Sequence, residues 1–152
     1  MAAVRDKLWV KTPVGGVARY EGDSYHRVSP DVPGNPWFIC TLWLAHYLIG
    51  RAETEAELEE ALPIIRWAAE RALPSGVLGE QVDPFTDAPI SVSPLTWSHA
   101  TVVHVVMEYL EKIEGLRRCA TCGNSIFRYD MRRRGPWGSP NGLVSQSQRE
   151  GK

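Results

Sequence analysis

Glu80 lies in the stretch Ser75-Gly76-Val77-Leu78-Gly79-Glu80-Gln81-Val82-Asp83-Pro84, where glycines on either side of a short apolar pair let the backbone bend and bring a carboxylate near a loop apex. A carboxylate held there can accept a proton from water. By itself the pattern fits a solvated surface glutamate better, since that is the commonest place for the residue. A second loop, Gly15-Gly16-Val17-Ala18-Arg19-Tyr20-Glu21-Gly22-Asp23-Ser24-Tyr25, collects a guanidinium, two phenols and carboxylates. Planar arginine donors, carboxylate acceptors and aromatic faces are the groups a hydroxyl-rich pyranose ring requires. The same residues also allow a plainer arrangement, in which Arg19 pairs with Asp23 across a turn.

The elements that must carry these loops are helical. Pro36-Trp37 reads as a helix start with Asn35 as its cap, and the apolar residues from Trp37 to Ile49 fall on every face, which predicts a helix enclosed by protein. Thr54 and Glu57 have capping-box spacing. Beyond them Leu58, Ala61, Leu62, Ile65, Ala68, Ala69 and Ala72 form one apolar stripe, and Pro63 predicts a kink or a break into two pieces. A third helix is expected from about Ser93-Pro94 to Ile113, again apolar over most of its circumference. Between the second and third helices, Leu73 to Val92 is rich in Gly and Pro and long for an idle link. Enclosed and one-faced helices in alternation suit a layered helical barrel. Three helices cannot close one, so copies of the chain or another chain should complete the core.

Composition narrows the function classes. The chain has 152 residues, 43% hydrophobic and 23% charged, with a formal net charge of -1, which is ordinary for a globular domain and gives no general electrostatic attraction to nucleic acid or anionic membranes. The charge is uneven: Glu53 to Glu60 is acidic, whereas Arg117, Arg118, Arg128 and Arg132 to Arg134 make the C-terminal part basic. No aromatic stacking pattern accompanies those arginines, which favours a solvated segment over a nucleic-acid site. Neither an apolar leader segment nor a run of spanning length is visible, so a cytoplasmic location is the expectation. Three cysteines do not make a secreted disulfide framework.

Four motifs in order carry a family resemblance: Arg19-Tyr20 with Asp23 and Tyr25; Gly34-Asn35-Pro36-Trp37-Phe38; Gly79-Glu80-Gln81; and Leu95-Thr96-Trp97-Ser98-His99-Ala100. Together they resemble the C-terminal portion of the glycoside hydrolase family 15 catalytic domain, the glucoamylase and glucodextranase family, over about residues 15–112. The resemblance implies an all-α fold, part of an (α/α)6 barrel. It also implies inverting, exo-acting hydrolysis of α-glucosides that releases β-glucose. It implies that Glu80 is the general base, that Ser91 orients it, that Arg19 and Asp23 bind substrate, and that Tyr25, Trp37 and Trp97 line or support the pocket. No cofactor is implied.

An inverting site needs a general acid facing its base, and in the family that acid lies N-terminal to everything matched here. Residues 1–14 contain no glutamate, Asp6 sits in no motif, and Glu21 falls inside the substrate loop instead of at the acid's place. The expectation is therefore residues 1–114 as the last part of a glycosidase barrel, inactive alone, with an α-glucan or α-glucoside as ligand and a complementing chain or homo-oligomer as partner. The alternative is a non-catalytic glucan-binding or regulatory module. Residues 115–134 form a basic segment whose Cys119-Ala120-Thr121-Cys122 could supply two thiolates to zinc. No second pair follows, which leaves either an unmetallated pair or a zinc shared between chains. Residues 135–152 are dominated by Gly, Pro, Ser and Gln, a composition that predicts disorder.

Overall fold

The structure, a computed structural model, describes residues 1–118. Its element order is α1 (Ala2–Lys7), α2 (Phe38–Arg51), α3 (Glu55–Glu59), α4 (Leu62–Glu70), β1 (Gln81–Val82), β2 (Pro89–Ile90) and α5 (Thr96–Leu116). These elements fall in one compact unit, Met1–Leu116. The Cys119 and Cys122 pair and the expected tail lie outside the described residues.

The apolar core gathers on α2, whose Phe38, Ile39, Leu42, Leu44, Ala45, Leu48 and Ile49 are buried with α4, α5, the loop residues Val14, Val17 and Leu78, and Val82 of β1. Thr54 caps α3 by accepting from the Glu57 amide, and the Glu57 carboxylate accepts from the Thr54 amide in return, which satisfies donors that helix geometry leaves unpaired. The break expected around Pro63 is present. The chain leaves the helix after Glu59, and Pro63 sits in the first turn of α4, where its missing N–H costs nothing. That break changes the helix phase, so Ile64, Trp67 and Ala68 turn inward while Leu62 is exposed. Of the expected stripe, Leu58, Ala61 and Ala68 are buried and Ile65 and Ala72 pack against the core, while Leu62 and Ala69 are exposed.

One other expectation is corrected. Asn35 does not cap α2: the N-cap is Trp37, with no side-chain capping bond, and Asn35 is spent elsewhere. This chain does not enclose α2 and α5, in keeping with three helices being too few to close a barrel. Trp43 and Tyr47 on α2, and Trp97, Val103, Met107 and Leu110 on α5, are exposed, and α5 fully buries only Ser98, Thr101 and Val105. Among the described residues no element lies over that apolar side.

The long connection is structured by pairing. β1 and β2 form a short antiparallel hairpin with Gln81 opposite Ile90 and Val82 opposite Pro89. Its turn is built by Asp83, whose carboxylate accepts from the Phe85 and Thr86 amides at 2.8 and 2.9 Å. The segment before it is pinned from both sides: the Phe38 amide donates to the Glu80 carbonyl, and the Ser98 hydroxyl at the start of α5 donates to the Gly79 carbonyl at 2.7 Å. None of the described helices is long and apolar enough to cross a membrane.

Candidate functional site

Three stretches of extended chain converge at the N-terminus of α2. Trp9 bridges Val17, Ala18 bridges Pro36, and Trp37 bridges Gln81, so the Arg19 loop, the Asn35-Pro36-Trp37 turn and the Glu80 segment run side by side. Close approach at the first junction requires Gly16. It has φ +92, and a Cβ there would lie 2.7 Å from both Pro36 and Trp67. The Val17 amide between them donates to the buried Thr41 hydroxyl at 2.9 Å.

The arginine is held rigidly. Arg19 Nε and a terminal nitrogen donate to the two oxygens of Asp23 at 3.0 and 2.9 Å, the bidentate geometry that matches a planar guanidinium to a carboxylate. Asp23 is 1% exposed and also accepts from the Tyr25 amide at 3.1 Å. Burial would push its carboxyl upward. The Arg19 and Tyr25 hydrogen bonds and the Arg19 charge outweigh that and hold it below the usual carboxylate range. Arg19 is correspondingly raised, chiefly by the Asp23 hydrogen bond. Its guanidinium lies 4.4 Å from the Trp37 ring centroid, 5.0 Å from Tyr20 and 5.4 Å from Tyr25, close enough for cation–π attraction to each. Trp37 is buried, whereas Arg19, Tyr20 and Tyr25 are exposed. The pairing of Arg19 with Asp23 across a turn is therefore what the structure contains. Beside it Tyr20, Tyr25 and part of the Arg19 side chain remain exposed, whereas Trp37 backs them from within.

Glu80 is half-buried beside this cluster. Its carboxylate accepts a short hydrogen bond from the Ser91 hydroxyl, and that hydroxyl also lies 3.4 Å from the Tyr25 hydroxyl. Ser91 reaches this position from β2 with φ +66, the left-handed region that a side chain disfavours. Its backbone is over-determined by the flanking β1–β2 pairing and by the Glu80 amide, which donates to the Val92 carbonyl at 2.9 Å. Of the predicted residues the structure thus brings together Arg19, Asp23, Tyr25, Trp37, Glu80 and Ser91.

Trp97 stands apart in its contacts. Its ring packs on Trp43 with centroids 5.9 Å apart, and both line a cleft between α2 and α5. Glu21 faces α1 instead, where it pairs with Lys7 at 3.2 Å. Cys40 is buried near the cluster, and burial pushes its thiol up to about 12, so it carries no thiolate at neutral pH.

Sequence reasoning did not assign Asn35 and Gln81 to the support of the site. The Asn35 carboxamide donates to the His26 carbonyl and to the Gln81 side chain, both at 2.8 Å, and accepts from the Val28 amide at 3.1 Å. One buried amide thereby ties residues 26–28, which follow the Arg19 loop, to the residue after Glu80. The motif Gly34-Asn35-Pro36 held the signal, but the cap reading used it up.

A likeness to the glucoamylase-like glycoside hydrolases follows in both sequence and fold. The chain is 32% identical over 107 residues to an uncharacterized glycosyl hydrolase of Methanocaldococcus jannaschii, a match covering 64% of this chain and 16% of that protein. Its fold is similar to a bacterial glucoamylase whose crystal structure contains acarbose, with a TM-score of 0.61 and 28% identity over 73% of this chain and 17% of the glucoamylase. The chain therefore spans about a sixth of the length of either relative. No family model matches it.

Proposed function

We propose that this chain forms part of the (α/α)6 barrel of an inverting, exo-acting α-glucosidase and supplies its general base, Glu80, together with one wall of the sugar site. The observation that carries this reading is the Glu80–Ser91–Tyr25 hydroxyl and carboxylate chain standing beside an Arg19 locked over Trp37. Ser91 donates to one oxygen of Glu80, which fixes the carboxylate's orientation and leaves the other oxygen to take a proton from water. Arg19 donates to sugar hydroxyls through its exposed edge. Asp23 acts through Arg19, since its own oxygens are already engaged.

Inversion needs a second carboxyl group, protonated, roughly 6.5–9.5 Å from the base so that a water fits between them. The acidic groups of the Arg19 loop and of the β1–β2 hairpin are committed: Asp23 to Arg19, Glu21 to Lys7, Asp83 to its own turn and Asp87 to Arg71. In this reading the acid comes from outside these 152 residues, on helices that also cover the exposed side of α2 and α5. The relative's acarbose supports an oligosaccharide ligand for this chain.

The test is glucose release from maltose and isomaltose. The chain alone should be silent, and the chain combined with the missing barrel helices should be active. Glu80→Gln in the combined protein should lower turnover by about 10²–10⁴-fold, the scale of general-base catalysis. Undiminished activity of that variant would refute the assignment, as would activity of the chain alone. Completeness of the Arg19 and Tyr25 wall, backed by the buried Trp37, within one compact unit favours a second reading, a glucan-binding module without turnover. Calorimetric binding of malto-oligosaccharides to the chain, with continued silence after the helices are supplied, would select it.

A further inference from the structure

A second cluster of chemistry-bearing side chains lies between α2 and α5. His46 Nδ1 is 2.5 Å from Glu108 Oε2, and His104 Nε2 is 3.6 Å from Glu108 Oε1. The two imidazole rings lie 5.6 Å apart, and one ligand-type atom from each of the three residues falls within 4.8 Å of the others. We propose that His46, His104 and Glu108 form a divalent transition-metal site, with Zn²⁺ the fitting occupant.

The donor set is the first support. Two imidazole nitrogens and a carboxylate oxygen suit zinc and its neighbours in the first transition row, and they do not suit Mg²⁺ or Ca²⁺, which prefer an all-oxygen shell. Placement is the second. His104 and Glu108 are four residues apart on α5, so they share one helix face by construction, and His46 comes from α2, the helix packed against it. Ligands on two packed helices are held more narrowly than ligands on loops. Composition of the surroundings is the third. The two histidines border a cleft of about 300 Å³ whose walls include Trp43 and Trp97, so an ion held by three protein groups would keep an open position facing an aromatic-walled space.

The competing arrangement is a plain polar contact, with Glu108 shared by the two imidazoles. A metal would satisfy both ring nitrogens and the carboxylate at once. Ligation would also clamp α2 to α5 on the side where the chain buries little.

The experiment uses the full chain carrying Cys119→Ser and Cys122→Ser, so that thiolates cannot contribute. Zn²⁺ titration by calorimetry should give one site per chain, and Co²⁺ should give visible bands without a thiolate charge-transfer band. His104→Ala, at an exposed position, should weaken Zn²⁺ by at least ~10-fold, a loss already typical when only an outer-shell partner is disturbed. His104→Cys should restore binding and add the thiolate band to the Co²⁺ spectrum, a change no merely structural role would produce. Lack of a Zn²⁺ heat at millimolar metal overturns the proposal, as does binding unaffected by His104→Ala in a variant whose circular dichroism is native.

Discussion

Asp23→Asn should destabilise the fold at neutral pH and do so progressively less in acid. Asp23 is 1% exposed and accepts three hydrogen bonds, two from Arg19 and one from the Tyr25 amide. Asparagine keeps an acceptor for one or two of these donors but loses the charge. A hydrogen bond to a charged group contributes about 1.5–3 kcal/mol, and Arg19, being partly exposed, recovers part of that from water, so a loss of ~1–3 kcal/mol is expected. The pH dependence follows from the depressed carboxyl. In the unfolded chain Asp23 titrates near 3.8, and in the folded protein it titrates lower. Between those two values the unfolded state binds more protons, so stability falls as pH falls. The contribution is fully present above the unfolded value and is lost as pH drops through the folded one. Urea unfolding of both proteins, followed by tryptophan fluorescence from about pH 7 down to about pH 2, should show midpoints that converge in acid. Equal midpoints at neutral pH, or a gap that stays constant into acid, would refute the assignment of Asp23 as the charged anchor of Arg19.

Ser91 and Gly16 test the backbone that carries the site. Ser91→Gly relieves a left-handed φ and should leave the fold ~1 kcal/mol more stable than Ser91→Ala, although both remove the hydroxyl from Glu80; thermal melts rank the two. Gly16→Ala combines φ +92 with a Cβ only 2.7 Å from Pro36 and Trp67, so it should cost at least about 1–3 kcal/mol in denaturant unfolding and open the junction below Arg19.

The helical architecture was legible wherever the signal was local. Thr54 and Glu57 interact across one turn, and Pro63 breaks the helix through its own missing N–H, so neither depends on distant chain. Asn35 was misread because its neighbours Pro36 and Trp37 make a cap pattern, while the groups that claim its amide, His26, Val28 and Gln81, approach only in the folded chain. His99 and His104 lie on one helix but part company: His99 accepts from the Leu78 amide at 3.1 Å, and His104 sits beside His46, 58 positions away in sequence.

Sequence alone determined the motifs, the capped and broken helix, and the two helices too apolar to stand in water, because propensity, capping and hydrophobic period are properties of residues within a few positions of one another. Only the tertiary structure decided which motif residues meet, and that Asp23 lies buried beneath Arg19 while Arg19 stays open. Those outcomes depend on contacts between residues far apart in sequence. The Arg19 loop and Glu80 are joined through Asn35 and Gln81, 46 positions apart, and no local pattern encodes that distance.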